Sequence, residues 1–217
     1  MTAVHEATVG RRSASAEPVA RRPTLGERRK SALRLEIAQE AIGLFTAQGV
    51  TATTGEEIAQ AVGISARTLW RHFPTKESCV GPLLTAGLEF MAEALRAWPP
   101  DTPLRAYLED PRTWGEVFDP PEVVWDLISM IRTEPGLRAV WLQVHDDALP
   151  VFAELFAQRS GSSPDSLRVK VHAAMFNGAL RAAVEDCLMD PAGPRPGTGL
   201  TASLHTALCA AAEGLPY

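Results

Sequence analysis

Residues 54–73 read TGEEIAQAVGISARTLWRHF, and this stretch decides the fold. Ile58, Val62, Ile64, Leu69 and Phe73 recur at helical spacing, so two short helices, over 56–62 and 65–72, each bury one face against a common partner. Ala59 is small enough for the helices to approach closely, and Gly63 can take the positive φ that a tight turn needs. Thr54 with Glu57 forms a capping box for the first helix, and Ser65 is an N-cap for the second. A helix-turn-helix of this kind lays its second helix in the major groove of DNA.

Upstream, residues 28–48 form an amphipathic helix with Leu33, Ile37, Ala41, Leu44 and Phe45 on one stripe, and Gly49 suits the position just past its end. A three-helix head is therefore complete by Phe73. Pro74 stops the second helix of the pair, and Thr75 caps a further helix over 76–98. Residues 1–27, rich in Ala, Ser, Thr, Pro and Arg, lack apolar periodicity and read as a disordered basic arm. Its arginines, with Arg28, Arg29 and Lys30, either reach DNA phosphates or belong to a solvated tail.

The whole chain has 217 residues, 46% of them hydrophobic and only 6% aromatic, with few β-branched runs and much Ala, Leu, Arg and Glu. That balance favours an all-α protein. No apolar run reaches membrane-spanning length and no apolar leader opens the chain, so a soluble, cytoplasmic protein is expected. Cys79, Cys187 and Cys209 are far apart and set in helical patterns, as buried thiols would be. Net charge is −5, yet residues 1–80 carry 11 Lys+Arg against 8 Asp+Glu, while the remaining 137 carry 10 against 18. A slightly basic head on an acidic body suits a protein that touches phosphates at one end.

Residues 30–80 resemble the DNA-binding domain of the tetracycline-repressor (TetR) family of bacterial transcription regulators. Ala41, Leu44, Phe45, Gly49, Thr53, Thr54, Ile58, Ala59, Gly63, Ile64, Ser65, Thr68, Leu69, Trp70, His72, Phe73, Lys76 and Glu77 carry the resemblance, and TLWRHFPTKES is its most specific run. The resemblance implies a head over 28–75 and a ligand-binding and dimerisation domain over 76–217. Ser65, Ala66, Arg67 and Thr68 open the recognition helix, where side chains meet base edges. Arg67 is the best reader, because a guanidinium can bind guanine O6 and N7 together. By resemblance, Thr54, Thr68, Trp70, His72 and Lys76 hold the DNA backbone. Trp70 stands where the family often has Tyr, and Gly55 and Glu56 bring no cation, so Arg67, Arg71 and Lys76 carry more of the contact.

The rest of the chain matches the family in length and helical character, giving about nine helices in all. Prolines 99, 100 and 103 make a linker, followed by a weak helix over 104–117 and a firmer one to Arg132 with Val124, Leu127, Ile128 and Ile131 inward. A long helix ends at Arg159, with Pro150 placed to kink it. Helices over 165–189 and 200–213 follow, separated by a Pro/Gly-rich loop. On the first of these, Ala173, Ala174, Gly178, Ala179, Ala182 and Ala183 make a face of small residues. The resemblance implies that the two helices build a four-helix bundle with a second copy; otherwise they close the monomer's own core.

A ligand pocket is expected among the middle helices, with Trp125, Ile128, Trp141, Phe152, Met175 and Phe176 as candidate contacts or as core. Few charges fall on inward stripes, so the implied effector is small and hydrophobic. Pro135–Leu142, PGLRAVWL, resembles actinobacterial relatives that respond to acyl-CoA-like or other hydrophobic effectors. Arg132, Asp126, His145 and Asn177 are candidate polar partners or else surface residues, and His145-Asp146-Asp147 reads as a solvated helix face. No catalytic constellation, metal-ligand spacing or cofactor motif is present: the five histidines show no i,i+4 pair and no CxxC occurs. The reading is a homodimeric repressor of a palindromic double-stranded DNA operator, released by its effector and nucleoid-associated when bound. The competing reading is an all-helical enzyme or ligand-sequestering protein that keeps the head as a remnant.

Overall fold

A computed structural model describes residues 24–113, 121–189 and 199–215, and those residues contain helices and no strand. The order is α1 (Leu25–Gln48), α2 (Gly55–Ala61), α3 (Ala66–His72), α4 (Gly81–Ala97), α5 (Leu104–Glu109), α6 (Glu122–Ile131), α7 (Pro135–Ser160), α8 (Leu167–Met189) and α9 (Leu200–Glu213). The basic arm falls almost wholly outside the described residues, as does most of the 190–199 loop. Its last residues, however, are ordered. Thr24 accepts from the Glu27 amide while the Glu27 carboxylate accepts from the Thr24 amide at 2.6 Å, so α1 starts three residues earlier than its apolar stripe suggests.

The head is held by apolar side chains from all three of its helices. Phe45, Ile37, Ile42, Ile58, Leu69 and Phe73 are all essentially inaccessible, each contributing about 1.5–3 kcal/mol by leaving water. Gly63 takes φ 73° and Gly49 φ 87°, the left-handed conformations their two turns demand. Both expected caps are present, on α2 from Thr54 and on α3 from Ser65.

The helix expected over 76–98 is divided. Thr75 and Ser78 exchange side-chain and backbone hydrogen bonds, a single 3-10 turn covers Glu77–Val80, and α4 proper begins at Gly81 with Pro82 in its first turn. The head does not end there either. Cys79 and Val80 from this turn, with Leu127 and Ile131 of α6 and Leu137 and Trp141 of α7, complete the same core as Phe45 and Leu69. A boundary at residue 75 therefore cuts through a shared apolar cluster.

The weak helix expected over 104–117 is also shorter. Pro111 keeps Asp110 extended at ψ 117°, ending α5 at Glu109 before a 3-10 turn at Pro111–Thr113. The Pro99–Pro103 linker is tied down by Trp98, whose indole donates to Thr102 O at 2.7 Å while the Arg159 guanidinium lies 3.8 Å from its ring. α7 runs unbroken through Pro150.

α7, α8 and α9 bury the second cluster around Phe152, Phe156 and Phe176, whose rings meet edge to face. The six small residues of α8 do not share one face. Ala173, Ala179 and Ala183 point into this core, whereas Ala174, Gly178 and Ala182 are exposed at four-residue spacing, in line with Leu167 and Val171.

Candidate functional site

Three helices and the caps between them set the polar edge of the head. Arg67 and Arg71, one turn apart on α3, are exposed, and Trp70 beside them is 40% exposed. Ser65 and Thr68 pair through their hydroxyls at 2.9 Å, with the Thr68 amide donating to Ser65 Oγ. Ala66 is half-buried at the start of the helix. Thr54 is exposed, its amide and hydroxyl both donating to Glu57 Oε2 at 2.7 and 2.9 Å. Those bonds, the amide's first, hold the Glu57 carboxyl below its ordinary range, so it remains an anion fixed on its own helix.

The head's cations lack such partners. Every ion pair among the described residues lies between residues 93 and 213. Burial and then the charges of Arg71, Lys30 and Arg34 lower the His72 pKa, so α1 and α3 together surround His72 with positive charge. Arg34 itself stacks over Phe73 at 5.0 Å. Arg67 and Arg71 thus present positive charge that no carboxylate among the described residues pairs with, the electrostatic requirement for gripping phosphates.

Two residues are placed differently from the expectation. Lys76 does not project from this edge. Its ammonium donates to the carbonyls of Val50 at 2.6 Å, Thr53 at 2.8 Å and Thr51 at 3.2 Å, so all three donors are used inside the protein. It ties the α1–α2 link to the turn that leads into α4. Gly55 was read only as a missing cation, but it is the seat of Trp70: a Cβ there would lie 2.0 Å from the indole ring. No periodicity signals that contact, because it joins residues fifteen apart through bare backbone.

Behind the head lies a cavity of about 460 Å³. Leu83, Leu88 and Met91 of α4, Ile128 of α6, Trp141 and His145 of α7, Leu180 and Val184 of α8 and Leu204 of α9 line it, and Leu35 and Gln39 bring α1 of the head to its wall. Of the candidate ligand residues, Ile128 and Trp141 are there. Phe176 and Trp125 lie in the core instead, Phe152 borders a separate space of about 220 Å³, and Met175 packs against Gly214. Large apolar side chains serve a close-packed core as readily as a cavity wall, so size alone does not separate the two. Among the described residues no Lys, Arg, Asp or Glu lines the cavity.

His145 corrects the reading of 145–147 as a solvated face: it is 4% exposed, and Asn177 is 6% exposed. The two pair at 2.7 Å between Nδ1 and Oδ1, and Asn177 Nδ2 donates to His145 O at 3.1 Å. Burial, then Arg181, lowers the His145 pKa, opposed by the Asn177 hydrogen bond and Glu185, so the ring is neutral near pH 7. Arg132 and Asp126 do not line this space; Arg132 instead donates to Leu188 O. Among the described residues no group of His, Cys, Asp and Glu could hold a metal ion, and burial pushes the Cys79 thiol up to about 12, away from thiolate chemistry.

A cation-rich helix-turn-helix packed on a helical body that encloses a cavity has the architecture of a DNA-binding regulator. Residues 37–81 match the family model for bacterial regulatory proteins of the tetR family, and residues 118–216 match the model of the MftR C-terminal domain. The regulator TcmR of Streptomyces glaucescens is 31% identical over 168 residues, covering 73% of this chain and 74% of its own. The repressor AcnR of Corynebacterium glutamicum is 30% identical over 54% of this chain and 62% of its own. The fold is also that of Thermus thermophilus FadR, solved with lauroyl-CoA, at 21% identity and TM-score 0.51 over 85% of this chain and 95% of that one. The chain belongs to the TetR family of bacterial transcription regulators, which are not enzymes. Members are typically repressors with ligand-binding C-terminal domains. Among the described residues no helix is long and apolar enough to cross a membrane.

Proposed function

We propose that this protein is a homodimeric repressor that binds a palindromic operator and is released by a small hydrophobic effector, acting on DNA in the cytoplasm. One observation carries the reading: the apolar cavity is walled by α1 of the head as well as by α4 and α6–α9. A ligand there touches the DNA-binding unit itself and the helix that follows its hinge. The effector need favour the released conformation by only a few kcal/mol to empty the operator.

In this reading Ser65, Ala66, Arg67 and Thr68 face base edges, with Arg67 the chief reader. Thr54, Trp70, Arg71 and His72 hold phosphates, and Lys76 acts through the joint rather than on DNA. The exposed stripe of Leu167, Val171, Ala174, Gly178 and Ala182 on α8 supports a two-fold interface, since small residues let backbones approach closely. The cavity supports the apolar half of an acyl-CoA-like effector, but among the described residues its lining offers no cation to a CoA phosphate.

The test is fluorescence anisotropy with duplex from upstream of the protein's own gene, in a salt series. The reading expects binding at least about 10³-fold tighter than to random duplex. Equal affinity for both duplexes would sink it.

A further inference from the structure

Among the described residues the cavity wall carries polar side-chain groups only from Gln39, the Trp141 indole and His145. Gln39 is exposed at the α1 edge, whereas His145 is buried, and its Nε2 has no hydrogen-bond partner among the described residues. What Nε2 can do is set by its neighbour. Asn177 contacts two groups, His145 Nδ1 and the His145 backbone oxygen, and the latter can only accept. The Asn177 amide nitrogen must therefore face that oxygen, which leaves Oδ1 against Nδ1. With the amide reversed, two oxygens would oppose each other at 3.1 Å. Oδ1 in turn requires a proton on Nδ1, and the neutral ring then carries a bare lone pair on Nε2. Two hydrogen bonds thus fix one tautomer.

We infer that the cavity selects ligands carrying a hydroxyl on an otherwise apolar body, because His145, held by Asn177 as the neutral Nδ1–H tautomer, offers an acceptor at Nε2. This deepens the proposed effector reading and rests on it. A ligand that is pure hydrocarbon leaves Nε2 buried and unsatisfied, which costs affinity. A ligand that places an ether oxygen or a thioester carbonyl there sets acceptor against acceptor. Only a donor such as O–H completes the site. The described lining residues carry no formal charge to attract an ionised group, and about 460 Å³ suits a body of roughly drug size.

The probes are two isomers, 1-undecanol and decyl methyl ether, which share one formula and differ in a single hydrogen-bond donor. Each is titrated into the full-length protein by calorimetry. The expected result is at least about tenfold tighter binding of the alcohol, one hydrogen bond's worth, with the preference falling to within about twofold in His145→Phe. Equal binding of both by the unaltered protein overturns the inference while leaving the cavity a ligand site. Failure of both to bind overturns the inference together with the effector reading.

A measurement on the unaltered protein covers the case in which the Phe variant does not fold. Nitrogen-15 spectra should show His145 protonated at Nδ1 and bare at Nε2, with the Nε2 resonance moving on addition of 1-undecanol and not of the ether. A proton on Nε2 in the unliganded protein, or an Nε2 resonance that does not respond to the alcohol, contradicts it.

Discussion

The polar edge of the head and the cavity behind it use their polar groups in opposite ways. On the head, hydroxyls and carboxylates are spent on neighbours three residues away, Thr54 with Glu57 and Ser65 with Thr68, while Arg67 and Arg71 make no ion pair among the described residues. In the cavity the described lining has no cation, and the buried polar pair joins residues thirty-two apart. The first arrangement shapes a rigid surface with spare positive charge, suited to a polyanion. The second gives one directional acceptor in a dry wall, suited to a small apolar molecule. Lys76 stands between them, and its three internal hydrogen bonds make it a strut of the joint.

That contrast can be broken from either side. The largest effect belongs to the shared apolar cluster: Phe45→Ala, at a fully buried position, should cost about 3–5 kcal/mol in urea unfolding. A cost under about 1 kcal/mol would mean that the head does not depend on this core. Next comes Lys76→Met, which keeps the stem and removes three donors. It should lower stability by about 2–3 kcal/mol and leave the salt slope of DNA binding unchanged. A slope reduced by about one, at unaltered stability, would return Lys76 to the phosphate role.

A smaller effect is expected at the DNA surface. Arg67→Ala should weaken operator binding by about 1–3 kcal/mol per half-site and relax specificity at one base pair, with little change in melting temperature. Gly55→Ala should move the Trp70 indole and weaken all sequences alike, by about tenfold or less; a tryptophan fluorescence spectrum that does not change would show that the ring was never seated there.

The smallest effect is a pH dependence on the cavity side. The folded pKa of His145 lies below its unfolded value of about 6.5. The unfolded chain therefore binds the extra proton first, so this contribution to stability is complete above about pH 6.5 and is lost as pH falls toward the folded pKa. Replacing His145 with Gln should flatten the acid side of the stability profile between pH 7 and 5. An unchanged acid limb would show that His145 is not the group titrating there.

The same contrast explains how much could be read in advance. Thr54, Glu57, Gly63 and Ser65 act on backbone within a turn or two, so the sequence around them states their roles, and the caps and the left-handed turn were legible. The 3-10 turn at Glu77–Val80 was less so, because the apolar stripe runs on through Gly81 and Pro82 into α4. The cavity was hardly legible at all. It is a gap left where six helices meet, and residues were nominated by size, which marks what fills space. His145, beside two aspartates, reads either as a polar partner in the pocket or as part of a solvated face, and its pairing with Asn177 on another helix, which buries it, is not visible in the sequence. Lys76 sat at a family position for DNA contact, yet the carbonyls at the end of α1 were within its reach.

The central claim is that occupancy of the cavity and grip on DNA are linked. Gly87 lines the cavity on α4, and a Cβ added there meets nothing within 4 Å, so Gly87→Phe fills the space from within without touching the DNA edge. Anisotropy with the operator duplex should show affinity reduced by at least about tenfold, a coupling within the usual 1–3 kcal/mol range, in a protein that still melts cooperatively and no longer takes up 1-undecanol. Unchanged or tighter operator binding in that filled variant would contradict the account.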